Sequence, residues 1–269
     1  MTLLPGGYEP DRIVVAGDWH GRTTQAVAAI RTAAGLLADQ SYPVIVHCGD
    51  FGIWPGAVGL AYLSAVSREL ARTRGVLLFG DGNHEDFTRL DALAADADEG
   101  GWPLPEPVPV TGNRRVLWLR RGARWRWHGR EWLALGGGVS LDKARRTEGR
   151  DWWPQEAITP RQEEAVSAAG PADVMVTHDC PAGVVHAFPP PPAWWDLADI
   201  ARSDPHRERL QRIVDTVRPS YLMHGHLHIG YQRMCDFGYG PVQVTGLDCE
   251  GETWNYAVLD VRSMEWAAG

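Results

Sequence analysis

Asp, Asn and His recur in five short clusters, each just past an apolar run: Gly17-Asp18-Trp19-His20-Gly21, Gly49-Asp50, Gly82-Asn83-His84-Glu85, Thr177-His178-Asp179 and Gly225-His226-Leu227-His228. Carboxylate and amide oxygens together with imidazole nitrogens suit divalent first-row metals. The clusters carry donors enough for two ions, and two ions side by side are a device for attacking phosphate esters with water. Taken singly, each cluster says little. Asp-x-His after a strand is common, Gly-Asp is commoner still, and a lone His178 reads as an ordinary polar strand end. Asn83 is a less usual donor, and His226 with His228 makes a fair chelating pair. Their joint order and their shared position at strand ends are what coincidence explains badly.

The elements that must position these clusters can be read from the pattern. Arg12 to Ala16, Val44 to His47 and Val76 to Phe79 are short β-rich runs. Between them, Thr24 to Ala38, with Thr23 or Thr24 as N-cap, and Val58 to Arg72 have helical composition and spacing. Strand–helix–strand repetition predicts a parallel sheet, in which ligands bind beyond the carboxyl ends of the strands. Glycine beside each ligand is expected to let the backbone turn sharply there. From Arg114 the pattern changes to hairpins: Val116 to Leu119 and Arg124 to Trp127 flank Arg120-Arg121-Gly122-Ala123, and Glu131 to Leu135 follows. Helices are expected at Pro160 to Ala169 and His206 to Val217. Val174 to Thr177 would carry His178, and Ser220 to Met223 would lead to the last cluster. Pro241 to Thr245 and Tyr256 to Val261 would close a second sheet, and the tetraproline Pro189 to Pro192 predicts an extended loop. One domain over residues 1–269 is the simplest organisation, with segments 139–160 and 180–205 as insertions that could cap the site.

Composition sets the outer limits. The chain has 269 residues, 44% of them apolar, and a net charge of −8. That size suits one large α/β domain, and that charge excludes a global basic field for gripping nucleic acid. Met1 to Pro10 has no basic start and no apolar stretch of signal-peptide length, and no run approaches the roughly 18 apolar residues of a membrane span. The expectation is a cytoplasmic protein with no membrane partner, its oligomeric state left open. Cys48, Cys180, Cys235 and Cys249 form no CxxC pair and read as reduced thiols, although Cys235 and Cys249 could face each other across a hairpin. Residues 114–132 interleave seven arginines with Trp118, Trp125, Trp127 and Trp132. That is the composition of a single-strand nucleic-acid platform. On a hairpin it also gives an aromatic core face and an arginine solvent face, which the net charge favours.

The five motifs, in this order from residue 17 to 228, resemble those of the calcineurin-like metallophosphoesterase superfamily. The resemblance implies an α/β fold, a four-layer α-β-β-α sandwich of two mixed sheets. It also implies roles. Asp18, His20 and His228 would bind one metal; Asn83, His178 and His226 the other; Asp50 would bridge both. His84 matches a non-ligand histidine close to the scissile ester, able to give a proton or hydrogen bond. Two cations roughly 3.5–4 Å apart can share a carboxylate and a hydroxide and neutralise phosphoryl charge. Mn2+ leads as the expected ion, with Fe, Zn or Co as alternatives.

The departures narrow the substrate. Gly49-Asp50-Phe51-Gly52-Ile53-Trp54 stands where protein serine/threonine phosphatases carry Gly-Asp-x-Val-Asp-Arg-Gly, and Asp81-Gly82 stands where they carry Arg-Gly. That branch is therefore disfavoured. Residues 136–146 and Asp151-Trp152-Trp153-Pro154 are similar to a stretch of uncharacterised bacterial and phage members. Lys143, Arg145 or Arg146 would then contact substrate phosphate, with Trp152 or Trp153 as a stacking surface; otherwise this is a solvated basic turn on two structural tryptophans. The expected activity is metal-dependent hydrolysis of phosphate esters. A phosphodiester is favoured, because no dedicated arginine clamp for a dianion is apparent. The alternatives are a phosphomonoesterase on a small molecule or nucleotide, a nuclease acting on DNA or RNA ends, and a catalytically silent metal-binding scaffold. Among the remaining polar residues, Glu85 and Asp179 either orient ligand histidines or are solvated. Asp81 is a turn or functional residue, His224 either supports the last cluster from behind or points to the far face, His47 is structural, and His128, His186 and His206 lie at the surface.

Overall fold

The structure is a computed structural model that describes residues 3–97, 107–184 and 196–267. In chain order it runs β1 (Arg12–Ala16), α1 (Thr23–Leu36), β2 (Val44–His47), α2 (Gly56–Thr73), β3 (Val76–Phe79), α3 (Phe87–Ala97), β4 (Val108–Pro109), β5 (Val116–Trp118), β6 (Ala123–Trp127), β7 (Arg130–Leu135), α4 (Pro160–Ala168), β8 (Val174–Thr177), α5 (Leu197–Val217), β9 (Tyr221–His224), β10 (Tyr231–Asp236), β11 (Pro241–Gly246) and β12 (Tyr256–Asp260). The strands form two six-stranded mixed sheets, in the orders β12-β1-β2-β3-β5-β4 and β10-β11-β9-β8-β7-β6. The central strands of each sheet are parallel and the outermost pairs antiparallel.

Period-two alternation builds the layers. Ile13 and Val15 of β1 face one way and Val14 the other, and both faces find apolar cover, as buried parallel strands require. Ile13, Val15, Val46 and Leu78 meet Trp125, Trp132, Val176 and Met223 between the two sheets. Outside the first sheet, Val14, Ile45 and Leu77 pack on Ala26, Ile30, Val66 and Leu90 of the helices. Outside the second, Leu133, Met175 and Leu222 pack on Val166 and Leu210. Each such side chain, once buried, contributes roughly 1.5–3 kcal/mol. The result is the four-layer α-β-β-α sandwich.

Three elements depart from the sequence reading. The stretch around Arg120-Arg121-Gly122-Ala123 closes no hairpin. β5 pairs in parallel with β3, whereas β6 pairs with β7 in the other sheet. The chain crosses between sheets here because Arg121 is drawn inside, where it pairs with Asp81. β12 joins the first sheet, antiparallel to β1, because Leu259 and Val261 can then reach the inter-sheet core. α5 begins at Leu197, where the Asp196 carboxylate caps it by accepting from the Ala198 N–H at 2.8 Å, and it runs through Pro205 despite the lost backbone donor. His206 therefore lies in mid-helix and is buried, not at the surface. His128 is half-buried, its Nε2 3.0 Å from the Pro10 carbonyl, so it too departs from a surface reading. The tetraproline, His186, and Trp194-Trp195 lie outside the described residues.

Candidate metal centre

All five clusters converge at the carboxyl ends of the parallel strands. Asp18 and His20 follow β1, Asp50 follows β2, Asn83 and His84 follow β3, His178 follows β8, and His226 and His228 follow β9. Asp18, His20 and His228 each offer a ligand atom within 4.8 Å of the others, and so do Asp18, Asp50 and His178. Asp50 stands between two groups of donors. Its Oδ2 lies 3.3 Å from His20 Nε2 and its Oδ1 lies 3.4 Å from His178 Nε2. His178 Nε2 is also 3.0 Å from Asn83 Oδ1, and the rings of His178 and His226 are 4.9 Å apart.

The glycines of the motifs have a spatial reason. A Cβ on Gly82 would collide with the Asp50 carboxylate, one on Gly225 with Asp18, and one on Gly49 with His178. Three of the five motifs thus leave room for a ligand from another. Only at Gly49, with φ of +106°, does backbone freedom add to that requirement.

The electrostatics call for cations. Asp18 and Asp50 are both fully buried carboxylates. Burial and the neighbouring Asp50 push the Asp18 carboxyl well above its usual range. Burial also opposes the charge on Asp50, but His178, His84 and His20 outweigh it and hold that carboxyl well below its usual range. His178 Nδ1 lies 2.9 Å from the Cys48 carbonyl, which can only accept, so Nδ1 carries the proton and Nε2 presents a lone pair. Burial lowers the His178 pKa to about 3, which rules out a second proton. Asn83 donates through Nδ2 to Ser140 Oγ at 3.1 Å, so its Oδ1 is the atom facing His178. Two acceptors and a carboxylate therefore face one another with no donor between them. A divalent cation satisfies that arrangement.

Residues 11–230 match the family model described as calcineurin-like phosphoesterase. The chain belongs to the calcineurin-like phosphoesterase family. As a member it is a hydrolase acting on phosphate esters. The solved structure of TT1561 from Thermus thermophilus shares its fold, with a TM-score of 0.57 at 13% identity over 96% of this chain and 98% of that one. GAP50, the anchor in the inner membrane complex of Plasmodium, aligns at a TM-score of 0.46 and 10% identity over 92% of this chain and 79% of its own. A conserved uncharacterized protein of Streptococcus pneumoniae TIGR4, a predicted phosphoesterase, aligns at 0.34 and 12% over 96% and 94%. At those two scores neither bears on the fold. No curated protein matches the chain. No helix among the described residues is long and apolar enough to cross a membrane.

Around the donors of this phosphoesterase lies a set of supporting groups, several of which motif reading missed. Glu250 Oε2 lies 2.8 Å from His20 Nδ1, which turns His20 Nε2 toward Asp50. β11 runs parallel to β9, so the loop that carries Glu250 emerges on the same side as the histidine pair. Gly246-Leu247-Asp248-Cys249-Glu250, an acidic loop past an apolar run, was the available signal. Ser140 Oγ donates in turn to Glu156 Oε2 at 2.5 Å, so the Asn83 amide cannot turn over without breaking a chain of two bonds. Arg121, buried, donates to Asp81 and to the carbonyls of Gln155, Glu156 and Ala157, which ties the Glu156 segment to the end of β3. Asp81 is thus a buried ion-pair partner, and its position is not a phosphate clamp.

Glu85 and Asp179 are both fully buried, not solvated. Glu85 accepts from the N–H groups of Phe51, Gly52 and Ile53 and so shapes the loop after Asp50. Asp179 accepts from the Cys180 N–H, pairs with His206 Nδ1 at 2.9 Å, and stands 4.0 Å from His226 Nε2. His224 turns away to meet Tyr231 Oη at 2.5 Å, and His47 packs on Trp19. Trp118, Trp125, Trp127 and Trp132 are all buried, so the arginine–tryptophan stretch offers no stacking face. Trp152 and Trp153 are buried as well. The four cysteines form no disulfide.

A cleft of about 600 Å³ opens in front of the centre, lined on its polar side by His20, His84, Asp142, Arg146, His228 and Glu250. Arg146 Nη2 donates to His84 Nε2 at 3.2 Å while its Nε and Nη2 hold the Asp142 carboxylate at 2.6 and 2.7 Å. Of the three cationic residues singled out from the basic loop, Arg146 alone lines the cleft among the described residues. Lys143 sits 4.2 Å above the Trp152 ring, and Arg145 is exposed.

Proposed function

We propose that this phosphoesterase hydrolyses phosphodiesters at a binuclear metal centre. Asp50, Asn83, His178 and His226 would hold an inner ion, Asp18, His20 and His228 an outer one, and the Asp50 carboxylate would reach both. When bound, two such ions activate water and neutralise the phosphoryl oxygens. The observation that carries the reading is the meeting of His178 Nε2, Asn83 Oδ1 and Asp50 Oδ1, three buried acceptors with no hydrogen between them. Mn2+ is the first ion to supply.

The chain's own residues divide the remaining work. His84 is anchored by its N–H to Asp50 Oδ1 at 2.8 Å, which leaves its ring at the mouth of the cleft. Burial lowers its pKa to about 4, so the ring is neutral, and it can give a hydrogen bond to the leaving oxygen once Arg146 releases Nε2 and that nitrogen carries the ring proton. Arg146 grips a phosphoryl oxygen as it lets go of His84. Segment 139–160, which carries Arg146, covers the site as part of the same catalytic unit. A diester fits better than a monoester because both cleft arginines already face a carboxylate, Arg146 to Asp142 and Arg22 to Glu250. The second negative charge of a monoester meets no uncommitted guanidinium among the described cleft residues. Metal-reconstituted protein assayed on bis(4-nitrophenyl) phosphate and 4-nitrophenyl phosphate tests this. Faster turnover of the diester is expected. Faster turnover of the monoester would make the protein a phosphomonoesterase, and inertness on both with Mn, Fe, Zn and Co would remove the reading.

A further inference from the structure

The cleft has two unlike walls. Beside the charged groups the lining is apolar, built from Trp54, Val58, Gly59 and Tyr62, from the loop after β2 and the first turns of α2. Val58 stands 77% exposed at the start of that helix, an apolar side chain held open to the cleft. Trp54 is held in place by three glycines. A Cβ on Gly21 would come within 2.7 Å of its indole and one on Gly52 within 3.3 Å, while one on Gly59 would strike its backbone carbonyl. The indole therefore rests on the backbone one residue beyond His20. Trp54, His84 and Arg146 also line a second, smaller recess together, so the indole, imidazole and guanidinium are neighbours. A cleft of about 600 Å³ is far larger than a phosphoryl group needs and matches the volume that takes drug-sized ligands.

We propose that Trp54 and Val58 form a specificity wall, and that the substrates are phosphodiesters carrying a flat aromatic or heteroaromatic group that lies against it. This rests on the phosphodiesterase reading for the reaction, but not for the binding preference. A fixed indole is a low-entropy surface for a planar ring. Alanine substitution of a base-stacking aromatic lowers affinity by roughly 5- to 150-fold. The polar rim leaves the phosphate at the metals while the apolar wall selects what the phosphate carries.

Phenylphosphonate and methylphosphonate separate these effects, since they share charge and resist hydrolysis. Their binding to the Mn2+-loaded protein is measured by calorimetry, and their inhibition of bis(4-nitrophenyl) phosphate turnover by competition. Phenylphosphonate is expected to bind about tenfold more tightly than methylphosphonate. Trp54→Ala should bring the ratio near one, with methylphosphonate affinity changed by less than about twofold, while Trp54→Phe should keep most of the preference. Val58→Asn, at an exposed position where folding is not at stake, should lower the ratio about threefold. Equal affinities in the unaltered protein overturn the proposal. So does equal weakening of both ligands in Trp54→Ala, and so does an unchanged ratio in Val58→Asn. Should the protein bind both phosphonates but hydrolyse no diester, the reaction reading fails and the wall is still judged by the calorimetric ratio.

Discussion

The two sets of donors proposed to hold an inner and an outer ion are alike in chemistry but differ in surroundings. Asp50, Asn83 and His178 are at most 1% exposed, and each is held by a second bond: His84 N–H on Asp50, Ser140 on Asn83, the Cys48 carbonyl on His178. In the outer set Asp18 is buried as well, but the His20 ring is 18% exposed and His228 is an exposed residue on the cleft wall. The proposed inner donors are ordered by the fold throughout, whereas the proposed outer set opens to solvent at His20 and His228. Rigid, desolvated donors lose little freedom on binding, so the inner ion should be held more tightly. An exchangeable outer ion beside the cleft suits a site where substrate must enter.

Both halves share one feature. His20, Asp50, His226 and His228 all adopt positive φ, between 43° and 64°, in the left-handed region that non-glycine residues avoid. Such positions store about 1–3 kcal/mol each and persist when the surroundings over-determine them. Close packing of Gly49, Gly82 and Gly225 against ligands from other motifs contributes to this here.

The contrast can be broken at three points. Asp50→Ala removes the carboxylate that both halves share. Bound metal should fall from two ions per chain to fewer than one by elemental analysis, and diester turnover should drop on the order of 10³-fold. If one ion stays tightly bound, Asp50 serves a single half. Ser140→Ala unlocks the Asn83 amide and should weaken the tighter of two calorimetric binding steps by about 10- to 100-fold, the other step staying unchanged. Glu250→Gln removes the charge that orients His20 and should weaken only the looser step, by about tenfold. A variant that moved both steps equally would show one coupled site and dissolve the distinction between the halves.

The donors were legible in the sequence because metal chemistry restricts them to a few residue types and the parallel sheet restricts them to strand ends. Their supports were not. Glu250 meets His20 across 230 positions of the chain, and Ser140 meets Asn83 across 57. A glutamate or serine in a loop carries no mark of the side chain it will touch. The layered sandwich was likewise readable from alternation, but alternation identifies a strand's faces and not its neighbours. That is why β5 and β12 were assigned the wrong partners. The sequence reads His206 as a surface residue at a helix start, whereas the Asp196 cap begins the helix earlier and places His206 in its buried middle.

The most direct test is to titrate metal-free protein with Mn2+ by calorimetry while following bis(4-nitrophenyl) phosphate hydrolysis in the same samples. Two ions per chain should bind, in a tight and a looser step, with activity rising as the second step fills. Full activity at one ion per chain, or two ions bound with no hydrolysis, would contradict it.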